Sequence, residues 1–299
     1  MIGKPYFGKK TGFAASVPFP DHKKYSIEKK MEWYRSELRK AGADIWLGSL
    51  VSGVLIEGDK KVSGVVVLTP DGRGVVKAGV VIDATGNGDV AIVAGASYRY
   101  GEIEKGRIAL QGSGMPSRPL IGTYYNTDYL LVDDVDMVDV SNVIDGVLQV
   151  KAKEKQYDVG PIIQNRERRR IIGETTISYV EQIAGRNYED VVVYSHSDYD
   201  SHGYPNSLYF ALLPHDSISA KKNHPAPGGY CHTPYRALIP KGLDGILVVG
   251  IAISMDRDVT ALIRMQYDLA NQGYAAGYAA AMAAKQNVSK DSVFQCRFL

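Results

Sequence analysis

The sequence predicts an α/β protein built around buried parallel strands, and three observations carry that expectation. Two apolar runs, "GVVIDATG" (79–86) and "GILVVG" (245–250), are continuous rather than alternating, as strands covered on both faces are. Each leads through a glycine turn toward a small-residue segment, "DVAIVAGA" and "LANQGYAAGYAAAMAA", that reads as a helix. The stretch ahead of the first run alternates apolar and polar residues between turn signals, the pattern of an antiparallel meander.

In chain order, "IEKKMEWYRSELRKA" sets Ile27, Met31, Trp33, Tyr34 and Leu38 near helical spacing, with charges between them and Gly42 just past the end, so an amphipathic helix is expected. From Asp44 to Thr85 the segments "DIWLGSL", "VSGVLIEG", "KVSGVVVLT" and "VVKAGVVIDAT" are separated by Gly58-Asp59 and Pro70-Asp71-Gly72, and read as a meander ending in a buried strand. Residues 101–235 hold most of the tyrosines. They combine a helical segment near 140–153 with strand-like pieces, "EDVVVYSHSD" and "NSLYFALL", and read as an inserted α+β substrate domain. The closing part, 236–285, is expected to be a strand followed by one long helix from about Val259 to Lys285. Residues 1–100 form the first part of the same α/β domain and 286–299 a tail.

Composition excludes several functions. A chain of 299 residues with 45% hydrophobic side chains can bury a large core. Its 35 basic and 33 acidic residues leave a net charge of only +2, too weak a field to gather nucleic acid or an anionic membrane. The first twenty residues contain neither a signal peptide nor a membrane span. Cys231 and Cys296 are far apart and form no C-x-x-C, which argues against a disulfide framework or an iron–sulfur cluster and fits a cytoplasmic location.

Gly86, Gly88 and Ala91 spell G-x-G-x-x-A after a strand, the form of a dinucleotide-binding turn. A first fingerprint needs a second buried strand ending in an acid about 20 residues on. Glu102 and Glu104 lie near that distance, but "SYRYGEIEKGRIALQGSG" has no apolar run to be that strand. We therefore expect something other than the primary turn.

The meander leading into "VVIDATGNGDVAIVAGA" resembles the second cofactor segment of two-dinucleotide-binding-fold flavoproteins. "ALIPKGLDGILVVGIAIS" with "RMQYDLANQGYAAGYAAAMAA" is similar to their closing segment, and "RERRRIIGE" (166–174) and "YDSHGY" (199–204) resemble the middle motifs of the FAD-dependent oxidoreductases. The resemblance implies an incomplete Rossmann-like FAD-binding domain. The family's opening G-x-G-x-x-G unit has no counterpart before residue 44. Ile251 stands where the family usually has arginine, Arg257 where it often has histidine, and its G-Q-A-A-G pattern becomes Gly273-Tyr274-Ala275-Ala276-Gly277.

By the same resemblance FAD is the cofactor, and Ala84, Thr85, Gly86, Gly250, Ser254, Asp256, Gln272 and Gly273 are its candidate contacts, the last two at a helix N-terminus facing the flavin pyrimidine edge. Most of the small-residue stripe Gly273, Ala276, Gly277, Ala280 and Ala284 is expected to be close packing. "HSDYDSH" places His196, Asp198, Asp200 and His202 at spacing two, which suits either the wet face of a strand or a divalent metal site. The resemblance adds a third reading, in which Asp200 and His202 are catalytic and His202 exchanges the proton of a substrate hydroxyl. Arg166, Arg168, Arg169 and Arg170 read as a solvated face unless one turns inward to hold a carboxylate or phosphate. Arg168 or Arg169 is then the substrate-binding choice. The tyrosines read as β packing, with a sugar or aromatic ligand as the other use.

The expectation is an FAD-dependent oxidoreductase, or its C-terminal portion, that moves a hydride from a small organic, hydroxyl-bearing substrate to flavin. The rival is a non-catalytic module that needs a partner chain to hold FAD. Expected partners are a small-molecule substrate and either a homo-oligomer or a chain supplying the N-terminal FAD unit. The chain by itself is expected to hold FAD weakly or not at all, to self-associate, and to leave apolar surface in water.

Overall fold

A computed structural model describes residues 12–18, 27–100, 114–118, 128–131, 139–152, 158–159, 168–197 and 229–286. The first helix, α1 (Ile27–Lys40), ends as its sequence directs. Gly42 takes a left-handed φ of 75°, which lets the amides of Gly42 and Ala43 turn back onto the carbonyls of Arg39 and Leu38. Glu32–Arg35 and Glu37–Lys40 pairs support its outer face. Its apolar residues Met31 and Leu38 remain exposed.

Three antiparallel strands follow, β1 (Leu50–Glu57), β2 (Lys61–Thr69) and β3 (Gly72–Lys77), with β2 in the centre. Both expected turns are present, and the Thr69 hydroxyl fastens the second by accepting from Asp71 N and donating to Gly72 O. The meander starts later than expected, because "DIWLGS" is not a strand. Trp46 and Leu47 are exposed and Gly48 bends the chain at φ 67°.

The next strand, β4 (Val81–Asp83), leaves the meander and enters the short helix α2 (Asp89–Val93). After it come β5 (Tyr98–Arg99), β6 (Gly114–Arg118), β7 (Asp128–Leu131), α3 (Val140–Lys151) and β8 (Asp158–Val159). Strands β7, β6 and β8 form a separate antiparallel sheet. Helix α3 lies where the sequence predicts it and is capped by the Asp139 carboxylate, which accepts from Ser141 N and Asn142 N. β9 (Arg170–Ile171) pairs with β5, and α4 (Tyr179–Ile183) leads to the hairpin of β10 (Val191–Ser197) and β11 (Gly229–Pro234). "NSLYFALL" lies outside the described residues.

The closing strand, β12 (Ile246–Val248), runs parallel to β4 in the register Ile246↔Val81, Leu247↔Ile82, Val248↔Asp83. The two apolar runs are thus neighbours, as expected. Strand β12 is buried on both faces. Ile246 and Val248 enter one apolar cluster with Val62, Val90, Ala91 and Ile171, while Leu247 and Val249 enter the other with Leu238, Ile253, Leu262 and Ile263. That second cluster also takes Val192, Val193 and Cys231 from the β10–β11 hairpin, so one core runs from the hairpin to the C-terminal helix. Gly245 (φ 71°) ties the meander in. Any Cβ there would lie 2.1 Å from the Val62 carbonyl oxygen, and Val62 N donates to Asp244 O.

One expectation about the closing helix fails. The chain forms a single turn, α5 (Thr260–Ile263), breaks at Arg264–Met265, and restarts as α6 (Gln266–Gln286). Ile263 and Met265 on either side of the break are both buried, so packing into the core overrides a locally helical sequence. The buried small residues of α6 are Ala276, Ala279 and Ala283, and Gly79 beside β4 lies close to Ala284. The 12–16 turn docks on the same helix, with Ala14 N donating to Asn271 Oδ1 and Phe13 stacked on Tyr274.

Candidate functional site

Parallel strands leave their carboxyl ends as the natural ligand-facing edge, and here that edge is made of two glycine turns. Gly86 (φ 74°) follows β4 and Gly250 (φ 86°) follows β12. Backbone meets backbone there, since a Cβ at Gly250 would lie 3.8 Å from the Cα of Gly86. Among the described residues a Cβ at Gly86 would meet nothing within 4 Å, so with respect to them one side of this seam is bare main chain beside open space. Such a surface admits a flat ring at van der Waals distance, and the cofactor contacts expected at Thr85, Gly86 and Gly250 fit that geometry.

The turn after β4 is built around Asp83. This carboxylate is 1% exposed and ends the strand. Its Oδ1 accepts from Thr85 N at 3.0 Å and from the Thr85 hydroxyl at 2.7 Å, and its Oδ2 accepts from Ala91 N at 3.0 Å. Its main-chain oxygen accepts from Val249 N of the neighbouring turn at 2.9 Å. The Thr85 hydroxyl in turn accepts from Asp89 N at 3.0 Å. Two of the amides at the start of α2 are therefore satisfied inside the chain, next to the carboxylates of Asp83 and Asp89. Satisfied amides and adjacent negative charge both weigh against the "TGNGDVA" turn as a pyrophosphate grip.

The turn after β12 is held from the other side. Gln272, 2% exposed on α6, accepts from Gly250 N through Oε1. Gln272 and Gly273 lie inside α6, which starts at Gln266, and not at a helix N-terminus. Ser254 is fully buried, its hydroxyl 2.9 Å from that of Thr176. Asp256 is partly open, accepts from Tyr179 N at 3.3 Å, and pairs with Arg99 at 3.5 Å. Ala84 is exposed beside the turn.

The arginines divide. Arg170 is 2% exposed, against the expectation of a solvated face, because β9 carries it into the core region beside Ile171. Arg169 is latched to α2: its amide donates to Asn87 Oδ1 at 3.0 Å, its guanidinium pairs with Asp89, and it lies 5.6 Å over the Tyr98 ring. Arg168 is half-buried. Arg166, Asp198, Asp200 and His202 lie outside the described residues, and of His196 only its place on β10 opposite Tyr230 is described. No group of three or more metal-ligating side chains occurs among the described residues.

Two features escaped sequence reading. One is Asp83, whose only signal was an acid ending a buried strand with threonine two residues later. The other is His232 on β11, which stands opposite Tyr194 in register with its ring edge-on, centroids 4.7 Å apart. Burial lowers the pKa of its imidazole below the usual histidine value. Its Nδ1 is buried and has no hydrogen-bond partner among the described residues. Among the described residues no helix is long and apolar enough to cross a membrane.

No curated protein matches the sequence. Among solved structures, a geranylgeranyl bacteriochlorophyll reductase-like protein from Thermoplasma acidophilum is similar at 17% identity and a TM-score of 0.40, over 90% of this chain. The chain spans 57% of the length of that protein. A family model described as FAD dependent oxidoreductase matches residues 15–158 and 139–294, covering both strand-to-glycine turns and all of what lies between them. The chain belongs to the FAD-dependent oxidoreductase family, whose members bind FAD.

Proposed function

We propose that the chain takes part in oxidation of a small, hydroxyl-bearing organic substrate, with the Gly86–Gly250 seam against the flavin of FAD. The observation that supports this is the seam itself, two left-handed glycines in contact at the carboxyl ends of parallel strands with open space in front. When bound, FAD supplies the hydride acceptor. The chain's part is to bring bare backbone against the ring, exclude water from one side of it, and receive the proton of the substrate hydroxyl. Asp200 and His202 are proposed for that proton transfer, Arg168 or Arg169 for an anionic group on the substrate, and residues 101–235 as the substrate portion. We propose a cytoplasmic location.

A second reading, that another chain must help to hold FAD, is favoured by the two satisfied amides at the start of α2 and the carboxylates of Asp83 and Asp89 beside them, which weigh against a pyrophosphate at the "TGNGDVA" turn. A titration with FAD, followed by quenching of flavin fluorescence, separates the two. Saturable binding that Gly86→Asn weakens at least roughly tenfold supports the first, because asparagine tolerates the left-handed turn while filling the space in front of it. Absence of saturable binding sinks it for the chain alone and leaves the second. Anaerobic bleaching of the bound flavin by alcohols, and not by the corresponding ketones, tests the substrate class.

A further inference from the structure

We infer that Asp83 and Gln272 are a pair of positioning residues, one for each glycine turn, that fix the Gly86–Gly250 seam from inside the protein. The inference rests on the reading that this seam faces the flavin, and it reassigns Gln272 from a cofactor contact to a support behind the contact surface. Glycine turns are the loosest backbone a protein can use, because glycine samples left- and right-handed conformations about equally. A seam made of them holds one geometry only if other groups hold it.

On one side, Asp83 reaches both ends of its turn. It binds Thr85 before Gly86 and Ala91 after Gly88, so its two oxygens span the flexible residues between them. On the other side, the Gly250 amide is taken by Gln272, anchored on α6, a separate element from the strand that carries the turn. The two halves are joined by Val249 N donating to the main-chain oxygen of Asp83. Both side chains are almost fully buried, so neither can touch a ligand directly, and each acts through the backbone it holds.

The test compares Asp83→Asn and Gln272→Met with Val193→Ala, a core truncation on β10, an element that forms no part of either glycine turn. Each protein is studied below its unfolding temperature, with circular dichroism confirming the fold. Asp83→Asn and Gln272→Met should each weaken FAD binding roughly tenfold or more, the scale of one well-placed buried hydrogen bond, and shift the reduction potential of any flavin still bound. Val193→Ala should stay within about twofold of the parent. FAD affinity and potential in the two seam variants indistinguishable from Val193→Ala overturn the inference. If the parent itself binds no FAD, the chain does not hold flavin alone, and amide exchange of the apo protein decides the positioning role. Asp83→Asn should then speed exchange at Thr85 and Ala91, and Gln272→Met at Gly250, by about tenfold or more relative to Val193→Ala. Unchanged protection at those amides overturns it.

Discussion

Among the described residues, two carboxylates drawn out of water, Asp83 and Asp268, are treated in opposite ways. Asp83 at the end of β4 is met by three donors in good geometry, two amides and a hydroxyl. Asp268, in the first turn of α6, has the Ser195 hydroxyl and the Cys231 thiol in its surroundings and no well-formed hydrogen bond among the described residues. Desolvation pushes Asp268 up to about 7 and raises the neighbouring Cys231 thiol as well. Burial alone is therefore a poor guide to what an acidic side chain does. The donors that meet it decide whether it organises backbone or stores a proton.

The largest effect should come from removing the well-met carboxylate. Asp83→Ala strips partners from the buried Ala91 amide and from Thr85, and should cost about 3 kcal/mol in chemical denaturation. A loss under about 1 kcal/mol would show that the turn is held by packing and not by Asp83. Asp268→Asn should act in the other direction. Because the folded pKa of about 7 lies above the unfolded value, the folded chain keeps a proton that the unfolded chain releases. Stability should fall as pH rises from about 4 to about 7 and level off above that. The asparagine variant should flatten this slope and gain roughly 2 kcal/mol at pH 8, and an unchanged slope would remove Asp268 as its source.

Thr176→Val tests a neutral pair in the same terms. It leaves the fully buried Ser254 hydroxyl without its partner at 2.9 Å, and about 1 kcal/mol should be lost. The smallest change is expected on the meander. Leu50, 71% exposed, should tolerate Leu50→Thr within about 0.5 kcal/mol, while light scattering reports less self-association because an apolar patch has been interrupted. Unaltered association would place the sticky surface elsewhere.

Much of the fold was legible where one physical rule dominated. The "ILVV" and "VVID" runs were too continuous for half-exposed strands, and they pair. The Gly58 and Pro70–Gly72 turns, the glycine after α1 and the helix at 140–151 carried their own local signals. The break at Arg264–Met265 had none, since "TALIRMQYDL" contains no glycine or proline. It arises because Ile263 and Met265 must both reach the core, which only the tertiary arrangement reveals. The seam glycines were legible from their strands. Asp83 and Gln272 were not legible as supports, because a sequence shows an acid and an amide but not which amides they will meet.

The β4–β12 pairing also bears on how the chain comes off the ribosome. Its partners, Val81–Asp83 and Ile246–Val248, belong to the first and last thirds of the polypeptide. The meander and α2 can form early from local contacts, yet β4 waits for β12, its parallel partner, until residues 246–248 have been made. Asp83 is exposed to the same delay, because its main-chain oxygen has no Val249 to bind until then. A nascent chain stalled before residue 246 would therefore present an open, apolar strand edge, and holdase chaperones or premature aggregation should act on that interval most strongly.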